Sequence, residues 1–291
     1  MKILPIAFDS LGVRSMATYV ETSDVKIFID PGVSVSPDRY SLPPHKIELD
    51  RYHKMWETIK KWVKNSDIIV VTHYHYDHHN PDEPYIYEKK DIFLKNPREF
   101  INESQRVRAA YFLSRIEPYV KSITIADGKS INLGKTTIKL SEPVFHGLSA
   151  RLGFVIQVFI EENGRFIFTS DVQGPVNKAA LNFIIENSPD TIFVDGPATY
   201  LLGSHFKKCD IDSSLENLKK VILEAPIKKL VIDHHLLRDL NWQEFTKLLK
   251  NIKENIEIES AARFRGEKED ILEAKRKDMY EGKITGVDNY G

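Results

Sequence analysis

Four apolar residues, Ile68-Ile69-Val70-Val71, run without a break into Thr72-His73-Tyr74-His75-Tyr76-Asp77-His78-His79. A short apolar run with no alternation reads as a strand buried on both faces, so it needs a covering layer on each side. The polar residues at its end then fall on a sheet edge. Side chains at i and i+2 of an extended chain point the same way, which lets His73 and His75 converge on one point. Asp77 and His78 follow on the turn, within reach of a second point a few ångströms away. Neutral imidazole is the commonest metal ligand, and carboxylate oxygen completes a set that zinc accepts readily. A solvated loop with chance histidines is the plain alternative. Against it, seven of the ten histidines lie in three short places, 73–79, 146 and 234–235.

The remaining chain reads as strands first, then alternating strands and helices. Short strands are expected at Ile3–Phe8, Ala17–Glu21 and Val25–Ile29, each bounded by turn formers. Pro37, Pro43 and Pro44 make Ser34 to Lys46 an irregular loop. Helical spacing predicts Asp50–Lys64 and, after a stretch at 81–97 with no clear pattern, Arg98–Ile116. Further strands are expected at Ile123–Ala126, Thr136–Leu140 and Leu152–Ile160, the last paired with Phe166–Thr169 through Asn163-Gly164. Beyond Asp171 the order becomes helix Asn177–Glu186, strand Thr191–Val194, helix Ser213–Glu224, strand Lys229–Ile232 and helix Asn241–Lys253. Ser213-x-x-Glu216 reads as a capping box. No repeat and no long linker divides the chain, and a two-sheet core with helices outside fits this order. Residues 1–255 are expected to form one domain, with 256–291 a charged, helical extension packed on it or fraying from it.

Composition narrows the function classes. Forty-one Lys+Arg balance forty-two Asp+Glu, so no whole-molecule field points to nucleic acid or an acidic membrane, although a local basic groove stays open. The greasiest run, Leu152–Ile160, is too short to span a bilayer. A single cysteine, Cys209, excludes an internal disulfide and a cysteine-rich zinc site. The expectation is a cytoplasmic protein whose metal is held by histidines and carboxylates.

Thr-His-x-His-x-Asp-His after a buried strand resembles the metallo-β-lactamase superfamily, in an archaeal branch of it. The resemblance covers about residues 1–255 and implies a four-layer αββα sandwich of two mixed β-sheets flanked by helices. It further implies a dinuclear site: His73, His75 and His146 at a first metal, Asp77 and His78 at a second, and Asp171 bridging both. Asp30, in Ile29-Asp30-Pro31-Gly32, matches the aspartate that braces the histidine loop. The last ligand is His234 or His235; extending the preceding strand by one residue favours His234, with its neighbour as a donor outside the ligand shell, and Asp233 could orient either imidazole. His79 and Asp195 are expected outside the ligand shell.

On this resemblance the protein is a hydrolase. Two divalent ions, zinc by default and iron or manganese otherwise, would share a hydroxide that attacks a phosphoester or another small ester-like substrate. The rivals are a nuclease of the same superfamily and a non-catalytic metal-binding or regulatory protein. An aspartate at 171, where the true β-lactamases carry cysteine or serine, argues against β-lactam hydrolysis. Asp77 and Asp171 are the catalytic candidates. His45 and His205 could contact substrate, His53 reads as solvated, and Ser10, Arg14 and Ser15 could bind an anion. Cys209 reads as a structural thiol.

Overall fold

Alternation along the strands divides the apolar residues among three clusters, and the layers follow from that division. In β3 (Lys26–Ile29), Ile27 and Ile29 face one cluster and Phe28 another; in β4 (Ile68–Val71), Ile68 and Val70 separate in the same way from Ile69 and Val71. A computed structural model describes residues 1–284. Its first sheet has the order β1 (Lys2–Phe8), β2 (Met16–Glu21), β3, β4, β5 (Asp91–Leu94) and β6 (Ser122–Ile125). β1 to β3 pair antiparallel and β3 to β6 pair parallel. Its outer face is covered by α1 (Lys46–Lys64) and α2 (Glu103–Ile116), through Trp56, Ile59, Val63, Ala109 and Phe112.

The second sheet collects the rest of the chain. In sequence come β7 (Ser130–Leu133), β8 (Thr136–Leu140), a small separate pair β9 (Val144–Phe145) and β10 (Phe154–Val155), then β11 (Val158–Glu161), β12 (Arg165–Phe168), α3 (Lys178–Asn187), β13 (Thr191–Val194), α4 (Lys208–Glu224), β14 (Lys229–Ile232), α5 (Trp242–Lys247), β15 (Glu257–Glu259), α6 (Ala261–Phe264) and α7 (Arg276–Tyr280). The sheet order is β15-β14-β13-β12-β11-β8-β7, with β12 to β15 parallel. Phe166 and Phe168 face the first sheet, whereas Ile167 packs toward α3 and α4. Two mixed sheets face to face with helices outside give the αββα sandwich that the sequence led us to expect. No helix among the described residues is long and apolar enough to cross a membrane.

Several local expectations are corrected. α1 begins at Lys46 rather than Asp50, because His45 is its N-cap and Glu48 accepts the His45 backbone N–H at 2.9 Å. α4 begins five residues before Ser213, with Asp210 closing back on the Lys207 backbone; Ser213 instead donates its hydroxyl to Cys209 O within the helix. α2 starts at Glu103, capped by Asn102, and α5 stops at Lys247. The expected strand Leu152–Ile160 is interrupted. Its break falls at Ile156 and the fully buried Gln157, whose backbone N–H goes to Ser141 Oγ rather than along a ladder. Cys209 is exposed near the start of α4 rather than packed.

Of the two alternatives for the C-terminal extension, packed or fraying, its described part is packed. Arg276 is fully buried, bidentate to Glu48 at 2.8 Å, and donates to Ser36 O and Leu42 O. Tyr40 reaches Ala274 O and Arg39 reaches Arg238 O, so the proline-rich loop is fastened at several points. Residues 285–291, the end of the expected extension, lie outside the described residues.

Candidate metal centre

The parallel strands of both sheets end on the same edge. Asp9 follows β1, Asp30 follows β3, the histidine segment follows β4, Asp171 lies three residues beyond β12, and Asp195 and Asp233-His234-His235 follow β13 and β14. His146 leaves the short strand β9, its backbone N–H tied to Gly153 O. Each of these chain segments turns sharply. Asp30, Ser170, Gln173 and His234 all have positive φ, between 49° and 59°, a conformation non-glycine residues adopt rarely and retain where their surroundings dictate it.

Four overlapping groups of ligand atoms converge on this edge. His73, His75, His146 and Asp171 form one, Asp77, His78 and His234 a second, Asp30, His73 and His78 a third, and Asp171, His234 and His235 a fourth; within each, the atoms lie within 4.8 Å of one another. Asp171 stands between the first two. Its Oδ2 lies 3.0 Å from His146 Nε2 and 3.6 Å from His73 Nε2, while Oδ1 lies 3.3 Å from His78 Nε2 and 3.6 Å from His234 Nε2. The Nε2 atoms of His73, His78 and His146 and Oδ1 of Asp171 are buried without a hydrogen-bond partner. Orphaned lone pairs of this kind are costly in a folded interior unless something accepts them, and cations would. Asp171 does not cap α3, whose N-cap is Asn177.

Charge leads to the same conclusion. Asp9, Asp30, Asp171, Asp195 and Asp233 are buried, Asp77 is half-buried, and the one buried guanidinium among them is Arg238. Six carboxylates against one arginine is a large imbalance to keep out of water. Divalent cations would offset it, so the residues fit a metal centre. Without cations, protons substitute. Burial opposes charging His78, but Asp171, Asp30 and Asp77 raise it well above its ordinary value. Burial and Arg238 oppose His234, and Asp171 and Asp9 still lift it to about 9. His73 and His75 are held neutral chiefly by burial, His75 at about 3.

A second ring of residues fixes the imidazoles. Asp30 accepts the Thr72 backbone N–H at 2.8 Å and hydroxyl at 2.6 Å, and pairs with His78 Nδ1 at 2.8 Å. Gly32 permits this approach, since a Cβ there would sit 2.2 Å from the His79 backbone nitrogen. Asp195 pairs with His235 Nδ1 at 2.8 Å and accepts the backbone N–H groups of Gln173 and Gly174. Burial, and then the charge of Asp171, push it up to about 8.

The two adjacent histidines have different surroundings, although both bring a ligand atom within 4.8 Å of Asp171 and of each other. His234 Nε2 joins Asp77 and His78, whereas His235 turns toward an open cavity beside His146, with Nε2 3.6 Å from Asp171 Oδ2. Asp233 orients neither ring, contrary to expectation. Its carboxylate accepts backbone N–H groups of Ser10, His234 and Ala261, joining three distant segments. The residue that orients His234 is Asp9, at 2.7 Å from Nδ1, and sequence reading missed it. It also missed Arg238, which pairs with Asp9 at 2.8 Å through Nε and lies 3.6 Å from Asp77 through a terminal nitrogen. That nitrogen is 3.0 Å from His234 Nε2 and 3.3 Å from Nδ1.

Other candidates fall away from the centre. His79 is buried against Phe112 and Tyr74, with neither ring nitrogen hydrogen-bonded. His53 is exposed on α1, and His45 is that helix's cap. Ser10, Arg14 and Ser15, considered as anion binders, serve internal contacts: Ser10 Oγ accepts from Ala262, Arg14 pairs with Glu273, and Ser15 donates to Gly32 O. His205 lines the cavity beside His235.

No family model matches the sequence. A UPF0282 protein of Korarchaeum cryptofilum is 47% identical over 285 residues, covering 97% of this chain and 95% of that one. The chain belongs to the UPF0282 family. A further member, from Saccharolobus solfataricus, is 43% identical over 287 residues, with coverage of 96% and 93%. Among solved structures, isothiocyanate hydrolase from Delia radicum gut bacteria aligns over 89% of this chain and 95% of that one, with a TM-score of 0.55 and 16% identity. Tm1679, a metal-dependent hydrolase of the β-lactamase superfamily, aligns over 89% and 96%, at 0.50 and 13%. This UPF0282 protein therefore has the metallo-β-lactamase fold, as its histidine segment led us to expect.

Proposed function

We propose that this protein is a metal-dependent hydrolase whose substrate is a phosphoester or another small ester-like compound. The observation that carries the reading is Asp171, which offers one carboxylate oxygen to each of two histidine groups in which the Nε2 atoms of His73, His78 and His146 have no hydrogen-bond partner. His73, His75 and His146 would hold one divalent ion, and Asp77, His78 and His234 the other. Two ions so held supply a nucleophile at neutral pH and a Lewis acid for developing negative charge. The chain's own residues keep that centre in shape. Asp30 and Asp9 fix the rings of His78 and His234, and Asp195 holds His235 with Nε2 toward Asp171 and the cavity. No protein nucleophile is called for. The structural likeness to hydrolases supports this reading at the level of fold, and function must come from the site itself.

The test is a screen of zinc-, manganese- and iron-loaded protein against a phosphodiester, a thioester and a lactone, with RNA and single-stranded DNA as the nuclease arm. Turnover of at least one small ester, lost by more than 100-fold together with bound metal in Asp171→Ala, is the expected result. Tight metal uptake with no turnover in any arm would favour the binding or regulatory role instead.

A further inference from the structure

Beside the candidate centre lies a cavity of about 470 Å³ whose floor is made by His146, His235 and Gln173. The size suits a metabolite rather than a polymer. Two loops raise its walls. One follows β9 and carries Leu148, Arg151 and Leu152; the other follows β13 and carries Tyr200, Leu201 and Phe206. Neither wall is loose. Asn102 donates its side-chain amide to Arg151 O, Thr199 donates to Asp239, and Gln173 Oε1 accepts from Ala198. The cup is therefore preformed.

Its lining has a definite chemical bias. Leu148 and Leu152 remain 40% and 45% exposed, an arrangement that leaves apolar surface wet until something covers it. Among the described residues no carboxylate lines the cavity. The one permanently charged lining residue is Arg151, and its guanidinium makes no ion pair or hydrogen bond among the described residues, only its backbone being tied down. An unpaired guanidinium in an apolar cup whose lining carries no acid favours an anion carried on a hydrophobic body.

We infer that this cavity binds a compact organic anion, an apolar body held between Leu148, Leu152, Leu201 and Phe206 with a carboxylate or phosphate at Arg151. The inference rests on the hydrolase reading for the placement of the scissile bond over His146 and His235, and not for the binding itself. Arg151 is then the specificity-determining residue of the site, and substrates lacking either the apolar body or the negative charge bind poorly.

The experiment measures binding to the metal-loaded protein by calorimetry with three probes: 4-phenylbutyrate, acetate and 4-phenyl-1-butanol. The first should bind at least tenfold tighter than the other two. In Arg151→Glu, and to a smaller degree in Arg151→Gln, the advantage of the acid over the alcohol should vanish. In Leu152→Asp its advantage over acetate should shrink at least fivefold. Both positions are at the surface, and unchanged metal content and melting temperature would certify the variants. Affinities of phenylbutyrate and acetate within twofold of each other, or an acid-to-alcohol ratio unmoved by Arg151→Glu, would overturn the inference, even where simple esters are hydrolysed. The predicted binding pattern with no hydrolysis of any ester built on the same body would support the cavity assignment and reject the hydrolase reading.

Discussion

Replacing Asp9 by asparagine isolates the contribution of a residue that touches neither group's metal-facing atoms. Asp9 accepts from two side-chain donors at once, His234 Nδ1 at 2.7 Å and Arg238 Nε at 2.8 Å, with the Ser15 backbone N–H at 3.5 Å, and it is buried. Asparagine has a single acceptor oxygen, so one of the two donors is left facing an amide NH₂. Breaking a buried ion pair by removing one partner costs about 3–5 kcal/mol of stability. Loss of the partner that orients a ligating histidine costs about 10–100-fold in metal affinity. The second effect should be confined to the position held by Asp77, His78 and His234. Arg238 then has Asp77, 3.6 Å away, as its remaining carboxylate, and competes there with a cation. His73, His75 and His146 make no contact with Asp9, so the other position should keep its affinity within about threefold.

Equilibrium dialysis at buffered free zinc, with metal counted by mass spectrometry, measures both affinities. Urea unfolding of the metal-free protein measures the stability change separately. The double variant Asp9→Asn/Arg238→Met sharpens the test. With the guanidinium gone, the amide oxygen introduced by Asp9→Asn has only His234 Nδ1 to satisfy, and the weakened position should recover most of its affinity. If Asp9→Asn weakens both positions equally, or neither, the assignment of Asp9 to His234 alone is wrong.

Three further outcomes follow from the same geometry. Metal uptake at pH 7 should release about two protons at one position and almost none at the other, because His78 and His234 are charged in the metal-free protein while His73 and His75 are neutral; calorimetry in buffers of different ionisation enthalpy counts them. Arg276→Ala should lower the melting temperature by about 10 °C, since it strands buried Glu48 at a cost of about 3–5 kcal/mol; a shift under 3 °C would mean the pair contributes little. Tyr74 and Tyr87 are buried, and burial raises both phenols well above 10, so their stabilisation is complete below pH 10 and is lost above it by about 1.4 kcal/mol per pH unit for each phenol; absorbance at 295 nm should show Tyr74 and Tyr87 among the tyrosines that ionise only on unfolding.

What the sequence made legible was local. β4 and the histidine loop, Asp171 after β12 and the pair after β14 all announce themselves by an apolar run meeting a ligand residue. The strands that went unseen are short or lie at edges. β5 is a four-residue run in a stretch crowded with prolines and aromatics, β7 alternates over only Ser-Ile-Asn-Leu, and β15 is Glu-Ile-Glu at the sheet margin. No hydrophobic period of useful length exists in any of them. Helix starts were misplaced for a different reason: the caps of α1 and α4 use His45 with Glu48 and Lys207 with Asp210, and histidine and lysine are not residues that advertise an N-cap.

Asp9 and Arg238 illustrate a harder limit. Phe8-Asp9-Ser10 reads as punctuation after a strand, and its imidazole partner is 225 residues away. Only closure of both sheets brings the end of β1 against the end of β14, and Asp233, by holding the backbones of Ser10 and Ala261 together, fixes that closure. The same reasoning explains why Asp233 was misassigned. An aspartate beside two histidines invites the role of orienting them, yet its own backbone direction sends its carboxylate toward the N-terminal turn. Ligand residues are recognisable from type and spacing because the chemistry of a cation dictates both. Residues that hold ligands in place are dictated by the three-dimensional path of the chain. A centre that concentrates six carboxylates around one arginine therefore depends for its shape on contacts that no short stretch of this polypeptide displays.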